Sequence, residues 1–219
     1  MGNEAATSSR QRSTEERLVE AAAFRFWEHG YEATSLAAIC EAAEVNPGSL
    51  YYFFPAKQDL LVAVLDWYHR SIHEMLLGPA WEGVEDPFER VFALLDVYRA
   101  NLVETGFRYG CPIGNMAIEM RDPPEAVRAG IDRNFAAWAG AIEECLAAAL
   151  GDEVGAERTD GDRRADPHEL ALLVLTVMEG AVMQARTRRS PEPFDASVSH
   201  LREYLESLMP AVPDREGRA

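Results

Sequence analysis

An all-α fold of about nine helices is predicted for this 219-residue chain. Three observations carry that expectation. Apolar residues return at helical spacing over most of the length. Ala, Leu, Glu and Arg dominate, and no run of alternating Val, Ile and Thr suggests a strand. One cap also recurs before three helical stretches: Asp86-Pro87-Phe88-Glu89, Asp122-Pro123-Pro124-Glu125 and Asp166-Pro167-His168-Glu169. Each sets an Asp at the N-cap, a Pro at the first helical position and a Glu two residues beyond. The sequences between them are unlike, so they are helix starts rather than repeats. An apolar share of 47% supports a sizeable core, and the length suits one small and one larger domain.

The elements follow in order. Residues 1–12 are small and polar and read as a disordered arm. Ser13-Thr14-Glu15-Glu16 is a capping box that opens helix one. Its stripe is Leu18, Val19, Ala22 and Phe26, with Phe24 and Trp27 less clearly inside, and Gly30 ends it. Thr34 or Ser35 caps helix two, where Leu36, Ile39, Cys40 and Ala43 share a face. Glu44-Val45 turns the chain. Asn46 caps a short third helix, with Pro47 at a position where a missing N–H costs nothing. Lys57 opens helix four, in which Leu60, Leu61, Val64, Leu65, Tyr68 and Ile72 hold phase to about Gly78. Helices five (87–104), six (within 109–119), seven (123–150), eight (167–188) and nine (195–209) complete the set. Residues 151–166 read as a solvated loop and 210–219 as a loose tail.

Within helix three, Leu50 and Phe54 point inward. Asn46, Pro47, Gly48, Ser49, Tyr51 and Tyr52 are left facing out. A short helix with an apolar inner stripe and an outer stripe of Ser and Tyr suits a DNA major groove. The segment Gly30-Tyr31-x-x-Thr34-Ser35-x-x-x-Ile39 leads into Val45-Asn46-x-Gly48-Ser49-Leu50-Tyr51-Tyr52-x-Phe54-x-x-Lys57-x-x-Leu60. Together they resemble the DNA-binding domain of the TetR family of bacterial repressors. The nine-helix order is similar as well. Gly110-Cys111-Pro112-Ile113-Gly114-Asn115 resembles a subgroup that includes LmrA-like and AcuR-like regulators.

The resemblance implies an N-terminal three-helix helix-turn-helix domain over 13–56 and a larger helical effector-binding and dimerisation domain over 57–209. It implies a homodimeric repressor that binds a palindromic operator and releases it on binding a small effector. Thr34 or Ser35 and Lys57 would then hold phosphate. Pro47 stands where Lys or Arg is common in the family, and Phe53 where His is common, so base recognition leans on apolar contact with thymine and on DNA shape.

Net charge is −16, the wrong sign for a simple polyanion binder. Residues 1–60 hold five basic against nine acidic side chains, a net of −4, and the other −12 lies beyond. Lys57 is the sole lysine beside twenty arginines. Arg10 and Arg12 give the arm a second reading, as a phosphate or minor-groove contact. The three cysteines are odd in number and widely spaced, and neither a signal peptide nor an apolar run of membrane-spanning length is evident. A reduced cytoplasmic protein without a cofactor is expected.

The second half is rich in aromatics and Met, the material of an adaptable apolar pocket. Trp67, Tyr68, Phe92, Tyr98, Met116, Met120, Phe135, Trp138 and Met178 are the candidate effector contacts, for an apolar or aromatic ligand. Arg99, Asn115 and Glu119 are available for a polar group, though capping and surface roles suit them better. Leu173, Val177, Ala181 and Ala185 on helix eight, with Leu201, Tyr204, Leu205 and Leu208 on helix nine, are the candidate dimer interface.

Other readings weigh less. His69 and His73 stand one turn apart, but no third or fourth metal ligand follows from spacing. Cys111 is either a redox-sensing thiol or, better supported, a small buried residue. No catalytic constellation or phosphate loop is visible, so an enzyme is not expected. A ligand-binding protein with weakened DNA binding is the remaining alternative, prompted by the acidic charge and Pro47.

Overall fold

A computed structural model describes residues 12–151 and 166–209. The expectations for the arm up to residue 11, the loop 152–165 and the tail from 210 lie outside the described residues. Nine helices are present among those described. Helix α1 spans Thr14–His29, α2 Leu36–Ala43 and α3 Pro47–Phe53. Helix α4 begins as Lys57–Ile72, widens into a π-helical turn at His73–Leu77 and closes with Gly78–Trp81. Then come α5 (Pro87–Glu104), α6 (Pro112–Glu119), α7 (Glu125–Leu150), α8 (Pro167–Arg188) and α9 (Glu192–Glu206).

Local chemistry sets most of the starts. Ser13 and Glu16 exchange bonds as a capping box: the Ser13 N–H donates to Glu16 Oε2 at 2.7 Å, and the Glu16 N–H donates to Ser13 Oγ at 3.1 Å. Asp86 and Asp166 each accept from the backbone N–H two residues on, at 2.8 and 2.9 Å. The third expected cap departs from the pattern. Helix α7 starts after Pro124, which has no side-chain bond to offer, rather than after Asp122. Pro124 keeps the residue before it out of the helical region, so the helix is delayed past the second proline. Helix α9 starts three residues ahead of expectation and ends at Glu206.

Packing joins two bodies along α4. On one side α1 crosses it, with α2 and α3 closing a small core around Leu18, Ala22, Phe26, Ile39 and Leu50, each at most 2% exposed. On the other side α7 lies against α4. Asn134 is buried there and its amide donates to the carbonyls of Leu65 and Gly130 at 3.0 and 2.8 Å. The approach is close because Gly130 has no side chain: a Cβ there would stand 2.9 Å from Leu65 Cδ1 and 3.2 Å from Leu65 Cβ. Helix α8 packs between α7 and α9. Contrary to expectation, α8 is long and apolar enough to span a membrane by length and composition, but 44% of its apolar window is buried in the protein.

Helix α9 is tied to α5 by two forked ion pairs. Arg99 meets Asp195 at 2.6 and 3.0 Å, and Arg202 meets Glu89 at 2.7 and 2.9 Å while lying 3.8 Å over the Phe92 ring. The Arg202 hydrogen bond holds the Glu89 carboxyl below its usual range. Arg99 is thereby committed to α9 rather than to a ligand.

Replacing Gly130 with Ala forces α4 and α7 apart. Overpacking of ~1–3 kcal/mol outweighs the helix-propensity gain of ~1 kcal/mol, so urea unfolding should show a lowered midpoint. A midpoint at the wild-type value would mean that the two helices separate freely.

Candidate DNA interface and effector cavity

Helix α3 presents an exposed ridge. Asn46 accepts from the Ser49 N–H at 2.9 Å, and Leu50 is fully buried beneath the ridge. Asn46, Pro47, Gly48, Tyr51 and Tyr52 are exposed and Ser49 is half-buried. Tyr52 is the most open of the large apolar side chains among the described residues, 81% exposed, and packs edge-on against Phe53 at 5.0 Å. Tyr51, Tyr52 and Phe53 together give the ridge an aromatic crest.

Two flanking residues do other work. Ser35, not Thr34, caps α2, accepting from the Ala38 N–H at 3.1 Å. Thr34 is buried and its hydroxyl donates inward, to Gly30 O at 2.7 Å and Arg25 O at 3.1 Å. A hydroxyl has one proton to give, so Thr34 has none for a phosphate and instead joins α1 to α2. Lys57 Nζ donates to the carbonyls of Tyr31 and Glu32 and lies 4.3 Å over the Tyr31 ring. An ammonium carries three donors, which leaves one for another acceptor.

A cavity of about 310 Å³ opens where α1 meets α4, α5, α7 and the start of α6. Helix α4 contributes Trp67, Tyr68 and Ile72, and its π-turn contributes Met75 and Leu76. Widened turns of this kind re-aim side chains. Tyr98 and Asn101 come from α5, Asn134 and Trp138 from α7. Burial pushes the Tyr68 and Tyr98 hydroxyls well above their usual range, so both are neutral donors. The Trp138 Nε1–H is buried without a hydrogen-bond partner among the described residues.

Glu20, Phe24 and Trp27 of α1 also line the cavity and were not among the sequence candidates. The signal was present: Phe24 and Trp27 are large aromatics that the α1 core stripe did not need. Of the nine candidates, Trp67, Tyr68, Tyr98 and Trp138 line the cavity. The other five sit elsewhere. Phe92 and Met116 are core residues, and Met178 fills the packed space between α5, α7 and α8. Phe135 faces a shallow α7–α8 groove, and Met120, half-buried, follows α6.

The proposed interface residues divide the same way. Ala181, Ala185, Leu201 and Leu205 are buried inside the subunit, where small side chains let α8 and α9 approach. Leu173 and Tyr204 remain exposed, and Val177 and Leu208 are half-buried. Leu173, Val177 and Tyr204 line an open groove between α8 and α9, together with Gly180 and the buried Ala181 and Leu201. Leu172 and Met183 are also exposed on α8, Leu172 lining the groove toward α7.

The alternatives can also be placed. His69 and His73 are exposed, and no group of three potential metal ligands gathers among the described residues. Cys111 is buried, caps α6 through its sulfur and lies beside Glu179. Burial and the neighbouring carboxylate push its thiol well above its usual range. A thiol held protonated is a poor nucleophile.

Comparison with known proteins agrees with this architecture. The family model "Bacterial regulatory proteins, tetR family" matches residues 18–64. The model "Transcriptional regulator LmrA/YxaF-like, C-terminal domain" matches residues 87–200. The chain belongs to the TetR family of transcriptional regulators. An uncharacterised HTH-type transcriptional regulator of Mycobacterium tuberculosis is 31% identical over 196 residues, covering 89% of this chain and 95% of that protein. The HTH-type transcriptional repressor DhaR of a Mycobacterium species is 29% identical, covering 90% and 93%. A TetR regulatory protein from Rhodobacter sphaeroides has a crystal structure that superposes with a TM-score of 0.73 at 26% identity, covering 87% and 98%. The family consists of transcription regulators rather than enzymes.

All three cysteines are buried. An aromatic disulfide reagent at neutral pH is therefore expected to leave the native protein unlabelled over the time in which denatured protein yields three thiols per chain. Fast labelling of one site, lost in Cys111→Ser, would restore the redox-sensing reading.

Proposed function

We propose that this TetR-family regulator is a cytoplasmic repressor that binds a palindromic operator as a homodimer and lets go when a small effector fills the α1–α4 cavity. The observation that carries the reading is the joint use of α1 and α4. The same two helices support the reading head and wall the cavity, so a ligand there acts directly on the base of the head. The reading head corresponds to residues 13–56 and the effector and dimerisation body to 57–209. DhaR, a relative over nearly the whole length, is a repressor by name.

Operator contact is assigned to Asn46, Pro47, Gly48, Ser49, Tyr51 and Tyr52, with the Ser35 end of α2 and the third Lys57 donor against phosphate. Gly48 allows close backbone approach, and the tyrosines pack on thymine methyls or bond phosphate. Two heads one helical turn of DNA apart, ~34 Å, require a dimer. Its surface is the exposed apolar face of α8 and α9 around Leu173, Val177 and Tyr204, since faces of this kind are uncommon on isolated monomers.

The effector is assigned as an apolar or aromatic molecule bearing a hydrogen-bond acceptor. Aromatic walls supply the contact area, and the buried Trp138 Nε1–H lacks a partner among the described residues. An unsatisfied buried donor costs ~1–3 kcal/mol, which a ligand oxygen would recover. The lining includes the carboxylate of Glu20 and no Lys or Arg, so an anion is disfavoured. Release requires the effector to prefer the head-displaced state; equal affinity for both states shifts nothing.

Selection from random duplex DNA should enrich one palindrome, and Tyr51→Ala should lose binding to it by 100-fold or more, with the ~3 kcal/mol expected of a central contact and an unchanged circular dichroism spectrum. Selection that enriches no palindrome would favour the ligand binder with weakened DNA binding. For assembly, Val177→Glu should convert a dimeric mass at micromolar concentration to a monomeric one in sedimentation. A wild-type monomer would remove the α8–α9 interface from the proposal.

A further inference from the structure

The turn between α1 and α2 is held from both sides by oppositely charged residues. Glu119, the last residue of α6, accepts from the Tyr31 N–H at 2.9 Å through Oε2 and from the Glu32 N–H at 2.8 Å through Oε1. Lys57 takes the carbonyls of the same two residues. Gly30 makes room for this grip: its φ is +86°, and a Cβ there would stand 3.0 Å from Glu119 Oε1. Neither the core nor helix chemistry calls for a carboxylate at position 119. The residue is exposed, and a negative charge on the last turn of a helix opposes the helix dipole.

The approach to α6 adds two more ties to α1. Trp27 Nε1 donates to Gly110 O at 2.6 Å, and the Tyr109 hydroxyl donates to Glu28 Oε1 at 3.1 Å. The far side of the same segment is bonded to α8. Arg186 donates to Asn115 Oδ1 at 2.8 Å and to Arg108 O at 3.2 Å. Gly110 and Gly114 permit this contact. A Cβ on Gly110 would come within 3.0 Å of Arg186 and Val182, and one on Gly114 within 2.1 Å of Glu179 Oε2. Residues 108–119 thus touch the reading head on one side and α8 on the other. Gly110, Pro112 and Trp27 also line the cavity.

We infer that residues 108–119 form a strut that sets the orientation of the reading head relative to α8, and that Glu119 is its positioning residue. This rests on the operator-binding, dimeric reading above. The strut is a second route from cavity to head, distinct from the continuous α4 rod. A ligand lodged against Trp27, Gly110 and Pro112, which all line the cavity, bears on the strut where it meets α1. Glu119 touches neither DNA nor ligand; it acts through the backbone of Tyr31 and Glu32. Two charge-assisted bonds to main-chain donors make it a stronger anchor than a neutral side chain would be.

Two variants, one on each side of the strut, test the inference. Glu119→Gln keeps the shape, but its amide turns an N–H toward one of the two backbone donors. Arg186→Gln breaks the α8 end and touches nothing on the head. Hydrogen exchange is read first, on the full chain without DNA. In both variants the amides of the α1–α2 turn, α2 and α3 are expected to exchange about tenfold faster, while α7 and α8 stay at wild-type rates and certify the fold. Operator affinity, measured on the selected palindrome, is expected to fall about tenfold in each. Wild-type head exchange in Arg186→Gln would overturn the strut, because a purely local cap by Glu119 would not register a break at α8. So would a change confined to the amides of Tyr31 and Glu32 in Glu119→Gln. Absence of operator binding by the wild type would count against the proposed function, while the exchange arm would still decide the strut.

Discussion

The structure hangs on one face of α4. Leu60, Leu61, Val64 and Leu65 are completely buried, and they belong to one core that runs from α1 through to α9. α1 lies on one side of this strip and α7 on the other. Each fully buried leucine or valine is worth ~1.5–3 kcal/mol relative to exposure, so neither body gains its full stability without the other. The reading head is therefore not a bead on a flexible linker. Any change in its angle has to be accommodated in a close-packed interior, where alternatives are discrete arrangements rather than small continuous bends.

The cavity sits where that interior is interrupted. Around it α4 leaves regular geometry at His73–Leu77, and Gly78 packs so closely on the widened turn that a Cβ would stand 2.9 Å from His73 O. Tyr68 reaches across to the Ala23 carbonyl of α1 at 3.4 Å, while Trp67 and Phe24 leave space between them. Such a boundary is the natural place for two arrangements of similar energy. The cavity lining is mostly apolar, so under the proposed function an apolar occupant that prefers one arrangement would shift the balance between them.

What could be read in the sequence follows from the range of the interactions. The caps at Ser13, Ser35, Asn46, Asp86 and Asp166 involve partners two or three residues away, and spacing predicts them. The reading helix is similarly local: Asn46, Pro47, Leu50 and Phe54 specify it almost by themselves. Pro124 shows that the local rule fails when a second local rule intervenes. Tertiary partners are different. Nothing near Thr34 reveals that its hydroxyl turns to Arg25 and Gly30, nor that Glu119 reaches 88 residues back to Tyr31. Helical periodicity marks Phe92, Met116 and Met178 as inward, as it does Tyr98 and Trp138, but it does not separate a packed interior from a hollow one. Ala181 and Ala185 are buried on α8, and small side chains suit a close helix contact without naming the helix that supplies it.

The charge of the chain constrains how such a protein could hold DNA. At −16 overall, and with a crest of Tyr and Phe rather than Lys and Arg, little of the operator affinity can come from counterion release. It must come from the fit of a few side chains against base edges and groove walls. Contacts of that kind depend steeply on position, whereas attraction between a basic patch and phosphate tolerates a loose pose. A regulator of this composition has more to gain from a tightly held head, and more to lose when the hold slackens. The opposed grips of Lys57 and Glu119 on one short turn make sense in those terms. Under the proposed function, a modest displacement at the cavity would cost most of the DNA affinity, where a strongly basic head would merely slide.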